Sequence, residues 1–472
     1  MITQDLDRAL AETNGPAGTW RPAPAPGAGT VTASGTAIPS ETGAASETIA
    51  GAEPGTYAST IAFERARIEG APPDRIAARL AERLRGLDWV QDASVTGGGY
   101  LTVRVTPDAL AMLAVRITLA GPACARSDAL RGRAVTAPGG PAPAAASAIG
   151  QARTWEQART WDEARDGLAR LLTGRLAEAA GADVTWEPPP GPEPPPGREP
   201  APGPRTDPGP RTTPRAETST GLRTPPGPEQ APGPRTPLYP RTAPGPEPDP
   251  AAAAEPDPAA AAEPDPDAAA EPAPAATSHA EPFERPPSPD PPAPPAASPV
   301  AGAIAFAGEA AVILALCLLP PGAPAAVDQR AAAAHDLRNP AYAVRYAHAH
   351  AASILRQAAD LGLERGEAAG FRPRLLAHPR EQALLGTMSW LPERVAGAAR
   401  RGQPYVLARY LAELAGAYLD CHRQCPAVWP GALRPGGPVP AVIPARLWLT
   451  EAARTALAAG LGLLGVTAES RL

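Results

Sequence analysis

The stretch DLRNPAYAVRYAHAHAASILRQA, residues 336–358, reads as the start and body of a long α-helix. Asn339 is a good N-cap, because its short side chain can accept a hydrogen bond from the first free amides. Pro340 fits the first helical position, where no donor is lost. The helix can run until Gly362, a suitable C-terminal stop. Within it Tyr342, Tyr346 and His350 recur every four residues and share one face with Ser353. Such a face has two readings. It is a platform on which splayed single-stranded bases stack, or it is a side buried in a helical core.

The sequence around this helix is also helical. Pro379 and Pro404 stand before two further helices, and a last one is predicted over 447–459. No strand is expected after residue 301. Four or more helices in about 170 residues make an α-helical bundle. Residues 301–472 carry 17 arginines and 12 acidic residues, a balance of +5, whereas the whole chain is at -6. A basic domain hidden in an acidic chain is compatible with nucleic-acid binding. Arg345, Arg356, Arg400, Arg401 and Arg409 are candidates for phosphate contacts, since a guanidinium holds phosphate bidentately. Solvated surface, or an intrahelical pair such as Arg409 with Glu413, is the alternative for each. Cys421, His422 and Cys425 form CHRQC, but zinc wants four ligands and no metal is expected. Trp390 and Trp429, close to Pro392 and Pro430, read as lids at helix ends.

Upstream lies a different composition. Residues 187–300 contain 39 prolines, three copies of PGPRT (from Pro202, Pro208 and Pro232) and two of AAAAEPDP. Prolines this dense remove amide donors and fix φ, so neither helix nor sheet propagates. A long disordered, proline-rich linker is predicted, either a plain spacer or a ligand for an unidentified protein. Its later part is acidic, with eleven carboxylates against two arginines over 241–300. The N-terminal region, 1–186, reads as a small α+β domain with its core over about 55–120, plus a further helix over 151–180. Ile76, Leu80, Leu84 and Leu87 share a helix face after Pro73, and a β-hairpin turning at Gly97, Gly98 and Gly99 follows. A helix resumes over 108–116. Residues before about 55 read as a variable Gly/Ala/Thr/Pro stretch. The fold class is therefore multidomain: a small α+β domain, a linker, and an all-α bundle over 301–472.

Composition removes whole mechanisms. All 43 basic residues are arginine, so there is no lysine for a Schiff base, a phosphate-binding loop or a general base. The first of six histidines is His279, and no Gly-x-Ser-x-Gly run occurs. Four scattered cysteines (Cys124, Cys317, Cys421, Cys425) read as reduced thiols. The apolar run 311–319 is about half of a bilayer span, and the N-terminus lacks a signal peptide's apolar segment. A cytoplasmic monomer without membrane contact is expected.

A resemblance joins these parts. Asn339, Pro340, Tyr342, Val344, Tyr346, Ala347, His348 and Ala349 match a run in the DALR-type anticodon-binding domain of arginyl-tRNA synthetases, with His350 where that family usually has arginine. Glu309, Ala310 and Ala311 stand in place of the signature Asp-Ala-Leu-Arg helix, whose arginine is replaced by Val312 or lost. LARYLAELAGAYLDCHRQC (407–425) and the terminal GLGLLGVTAESRL fit the same domain. At the other end PGTYASTIAF, 54–63, resembles the family's N-terminal additional domain, which touches the tRNA elbow. Thr56 and Thr60 there replace an aspartate and an asparagine, and Tyr57 and Thr60 are the candidate elbow contacts. The family's catalytic domain, with its His-Ile-Gly-His and Lys-Met-Ser-Lys motifs, is expected to be missing. The 65 or so residues before Trp186 leave no room for a five-stranded parallel sheet, at about 30 residues per strand–helix–strand unit. The chain thus looks like a synthetase-related anticodon-binding protein of the kind found in high-GC actinobacteria.

Three functions follow. The first is binding of tRNA, arginine tRNA above all, without aminoacylation and without a cofactor. The second is arginine–tRNA ligation, alone or with a partner, which would use ATP and arginine. The third is a protein–protein adaptor.

Overall fold

A computed structural model describes residues 2–11, 20–24, 52–138, 155–187, 298–429, 431 and 438–472. The linker expected over 187–300 lies outside them apart from its two ends. The chain begins with helix α1 (Ile2–Ala11), whose Ile2, Leu6 and Leu10 fall four apart and are buried. Strands β1 (Trp20–Pro24) and β2 (Ala52–Ser59) precede helices α2 (Ile61–Glu69) and α3 (Pro73–Arg85). The hairpin β3 (Val90–Thr96) and β4 (Tyr100–Val105) completes a four-stranded antiparallel sheet in the order β1-β2-β4-β3. Gly97, Gly98 and Gly99 all have positive φ, which the turn between β3 and β4 requires. Ile76, Leu80 and Leu84 of α3 are buried, as their spacing predicts. Within the stretch that reads as variable before residue 55, the described residues form α1, which contacts α3, and β1, which pairs with β2.

The helix expected over 108–116 is three pieces: α4 (Pro107–Ala111), α5 (Leu113–Ala120) and a 3₁₀ turn over Gly121–Ala125. Together they are long and apolar enough to cross a bilayer. They instead pack in the interior, with Leu110, Leu113, Val115 and Ile117 buried.

Next come β5 (Ala134–Pro138), α6 (Trp161–Ala179) and β6 (Asp183–Glu187). The helix starts ten residues later than expected over 151–180, because Thr160 caps it by accepting from the Glu163 amide. The sequence reading missed both strands, each only five residues long. They pair in parallel, Ala134 opposite Asp183 through Pro138 opposite Glu187, so the segment is one β-α-β unit. Gly174 of α6 lets the helix lie directly on them. A methyl group there would sit 2.7 Å from the Trp186 ring and closer still to Ala137 Cβ.

Residues 298–472 are helical, with no strand among the described residues. The elements are α7 (Pro299–Ala307), α8 (Glu309–Leu318), α9 (Gln329–Ala333), α10 (Pro340–Asp360), α11 (Pro379–Met388), α12 (Leu391–Arg401), α13 (Pro404–Gln424) and α14 (Val442–Leu463). The last helix extends both ends of the expected 447–459. Pro340, Pro379 and Pro404 each open their helix as predicted.

The two ends of the chain are not separate bodies. Residues 1–193 and 294–472 form one unit and share one apolar core. Helix α14 packs on α5 and the 3₁₀ turn, α6 packs on α12, and β2 packs on α11. The Tyr57 ring lies 5.1 Å from that of Trp390, and its hydroxyl donates to Ser389 Oγ at 2.9 Å. Arg374 meets Asp108 at 3.1 Å, and Thr3 donates to Glu393.

Two stability predictions follow from this packing. Gly174→Ala should destabilise the fold by roughly 1–3 kcal/mol through overpacking, read as a lower denaturant midpoint with an unchanged m value. Tyr57→Phe should cost about 0.5–1.5 kcal/mol, the net worth of one hydrogen bond.

Candidate nucleic-acid interface

The expected helix face exists, and it is longer than the sequence suggests. The His335 ring stacks on Tyr342 with centroids 5.1 Å apart and planes 11° apart. Tyr342 stacks on Tyr346 at 5.7 Å, and Tyr346 lies 5.7 Å from His350. The series crosses to α13, where His350 meets His422 edge-on at 4.6 Å and Tyr418 at 5.8 Å. His350 Nδ1 and the Tyr418 hydroxyl are hydrogen bonded at 3.1 Å. Six rings thus form one ladder. Tyr342, Tyr346, His350 and His422 are half-buried, His335 is exposed and Tyr418 is buried. Tyr342, Tyr346 and His350 each have ring neighbours on two sides and remain partly exposed. That geometry serves π-stacking of flat ligands.

His335, Tyr418 and His422 were not among the predicted site residues. The signal for the last two was present, because Tyr418 and His422 are four apart on α13 and so share a face. His422 had been weighed only as part of CHRQC. Cys421 and Cys425 are instead buried thiols, and burial pushes Cys421 up to about 12. Among the described residues no group of three or more ligating side chains is placed to hold a metal.

Asn339 caps α10 as predicted, its side-chain oxygen accepting from the Ala341 amide at 3.1 Å. Its Nδ2 donates to the carbonyls of Ala331, Ala332 and Ala334 at 2.9–3.2 Å. With both ends of the amide used inside the protein, Asn339 joins α9 to α10. His348, on the opposite side of α10, is buried and donates from Nδ1 to the Glu469 carbonyl at 2.8 Å. Arg356, expected to meet phosphate, donates to the Ser470 carbonyl at 3.2 Å. These two side chains strap residues 469–470 along the helix.

Arg345 is half-buried, and Arg400, Arg401 and Arg409 are exposed. Arg400 lies beside Arg401 and near Arg133, which enters from the strand end of β5. Desolvation first, then these like charges, hold Arg400 below its ordinary value. None of the three makes a salt bridge among the described residues. The N-terminal candidates separate. Thr60 is half-buried at the start of α2, with no capping hydrogen bond from its side chain. Tyr57 is 1% exposed, which corrects the expectation of an elbow contact. Its alternation within β2 points it into the core against Trp390, and burial raises its hydroxyl well above the usual value. Trp390 is buried there as a lid, as expected, while the Arg446 guanidinium lies 5.9 Å from the Trp429 ring. Val312 of α8 is fully buried.

The comparisons with known proteins agree with this geometry. Residues 344–472 match the DALR anticodon binding domain, and residues 33–105 match the arginyl tRNA synthetase N terminal domain. Over these two segments the chain is related to the arginyl-tRNA synthetases, the C-terminal one matching their DALR-class anticodon-binding domain. The arginine–tRNA ligase of Clavibacter sepedonicus is 41% identical over 134 residues, 28% of this chain and 23% of that protein. That of Paenarthrobacter aurescens is 38% identical over 173 residues, 36% and 30%. The chain thus spans under a third of the length of these relatives. A solved Thermus thermophilus arginyl-tRNA synthetase is 15% identical with a TM-score of 0.48, over 100% of this chain and 99% of that one.

The imidazoles make stability depend on pH. Burial lowers His348 and His350, and burial with the neighbouring His350 takes His422 down to about 4. An unfolded histidine titrates near 6.5. Between those values the unfolded chain binds more protons, so stability is full above about pH 6.5 and falls as the pH drops towards 4. His422→Phe should flatten that decline in a denaturation series from pH 7.5 to 4.5.

Proposed function

We propose that this chain is a tRNA-binding protein that takes loop bases on the ring ladder and backbone phosphates on its unpaired arginines. The observation that carries the reading is the ladder itself, six rings along His335, α10 and α13, four of which (Tyr346, His350, Tyr418 and His422) lie within residues that match an anticodon binding domain. Unstacked loop bases pack on such rings at about 1–3 kcal/mol per base. Arg345, Arg400, Arg401 and Arg409 supply the salt-dependent part. Arginine tRNA is the first candidate, since the relatives are named arginine–tRNA ligases. The rigid joint between the two ends presents the α+β part to the same RNA, with Thr60 as its remaining candidate contact.

On this reading the chain works as a cytoplasmic monomer without an aminoacylation centre or cofactor of its own. The support is compositional. There is no lysine, and no histidine occurs before His279. A second reading, arginine–tRNA ligation alone or completed by a partner, draws on the β5–α6–β6 unit. Parallel β-α-β units are the pieces from which nucleotide-binding sheets are assembled. Arginine-dependent ATP–pyrophosphate exchange by the purified chain would establish the second reading and remove the first.

The direct test is gel-shift titration with arginine tRNA and with other tRNAs at two salt concentrations. Tight binding that weakens with salt is expected, and no binding at low salt would end the proposal. Tyr342→Ala and Tyr346→Ala should each reduce affinity about tenfold or more, with helicity preserved, because both rings are half-exposed. Arg401→Gln and Arg409→Gln should each lower the salt slope by about 0.7–0.9, one phosphate's worth.

A further inference from the structure

Two of the four free thiols are neighbours. Cys421 and Cys425 stand four apart at the end of α13, and both are buried. The Cys425 amide donates to the Cys421 carbonyl at 2.7 Å, so the two residues close the last turn of the helix. The Cys421 thiol donates a hydrogen bond to the Cys425 sulfur. Cys124 and Cys317 lie far from them in sequence, on the 3₁₀ turn and on α8.

The backbone permits a bond between the pair. Four residues rise about 6 Å along a helix, and a disulfide spans roughly 4.4–6.8 Å between its Cα atoms. Its Cβ atoms must come to about 3.5–4.5 Å, closer than the roughly 5–6 Å of side chains one turn apart on a regular helix. The last turn therefore has to tighten. Cys425 is the C-cap, already off helical geometry at φ -130° and ψ 60°, and Pro426 follows it. No further helical hydrogen bond holds that end in place.

Both cysteines line a cavity of about 10 Å³, with Tyr418 and His422 beside them and Arg446 and Thr450 facing them from α14. That is room for about one water-sized molecule. A peroxide is of that order, and a bulky disulfide oxidant is not. Arg446 is fixed there by Glu381 at 2.7 Å and by the Pro426 carbonyl at 3.1 Å. Burial and then the Glu381 carboxylate push the Cys425 thiol up, while Arg446 and the hydrogen bond from Cys421 draw it back. For Cys421 that same hydrogen bond works in the opposite sense.

We infer that Cys421 and Cys425 are a peroxide-sensitive dithiol, and that its closure to a disulfide displaces His422 from the ring ladder. Cys425 reacts first, slowly at neutral pH and faster as the pH rises, because the thiolate is the nucleophile. Its sulfur attacks one peroxide oxygen and the O–O bond breaks. The other oxygen leaves as hydroxide and takes up a proton to become water, so Cys425 is left as a sulfenic acid. The Cys421 sulfur then attacks Cys425, the S–O bond breaks and a second water leaves. Two sulfurs are oxidised, one peroxide is reduced, and the two thiol protons depart in the two waters. His422 sits on the turn that tightens and meets His350 at 4.6 Å. The effect on RNA rests on the function proposed above, and the dithiol chemistry does not.

The test treats the reduced full chain with hydrogen peroxide, beside an untreated control. Intact mass should fall by two hydrogens, peptide mapping should join Cys421 to Cys425, and dithiothreitol should reverse both. In histidine NMR the His350 and His422 signals should move on oxidation. Cys421→Ala should halt at a sulfenic acid on Cys425, trapped by dimedone, and Cys425→Ala should leave Cys421 a thiol. Mapping of the unsubstituted chain decides if a variant does not fold. No loss of mass even at alkaline pH, a link through Cys124 or Cys317, or a Cys421–Cys425 bond with the His422 signals unmoved would overturn the inference.

Oxidation should also weaken tRNA binding about tenfold, the scale of one stacked base, with recovery on reduction. Tight tRNA binding that oxidation leaves unchanged would count against the inference as well. A reduced chain that binds no tRNA ends the proposed function instead, and the mass and imidazole signals still decide the dithiol.

Discussion

The contact between Tyr57 and the Ser389–Trp390 corner holds the architecture together. It places a phenol from an N-terminal strand inside the C-terminal helices, with its ring on an indole and its hydroxyl on a serine. A buried tyrosine without a partner for its hydroxyl would cost more than the ring contributes, so the ring packing and the hydrogen bond stand or fall together. Around this point α14 fills the space against α5, and α6 lies on α12. The shared core means that the α+β part cannot pivot relative to the helices. Any ligand that touches both sees one fixed surface.

That rigidity bears on how RNA would be held. A ladder on a free-standing domain would order its partner alone. Here the rings of α10 and α13, the arginines at the end of α12 and the α+β part belong to one unit with a shared core. A ligand then gives up its own freedom once for several contacts. On the proposed reading, selectivity would come from matching spacing as well as from matching bases.

Much of this was legible in residues 336–358 and in the glycine-turned hairpin. Asn339, Pro340 and Gly362 mark a helix by local chemistry that needs no tertiary context, and the structure follows them. The four-residue recurrence of Tyr342, Tyr346 and His350 likewise gave the shared face. What was not legible depends on contacts between distant segments. Strands β5 and β6 are five residues each and carry no alternation strong enough to mark them, and their pairing is non-local. Tyr57 looks like a surface residue in its motif, and its burial follows from helices more than 300 residues downstream. His422 and Tyr418 shared a face in the sequence, but that this face meets α10 is a property of the bundle. A proline-rich stretch between the two ends suggests a tether, and nothing local reveals that its flanking regions share a core.

The place of α14 has a consequence in time. Helix α5 presents Leu113, Val115 and Ile117, and much of the surface that packs on it comes from residues 442–463. At a synthesis rate of about 5–20 residues per second, roughly 20–70 s separate the two on the ribosome. During that interval an apolar run long enough to enter a bilayer has no native cover. Native packing of α5 is therefore completed only after α14 emerges.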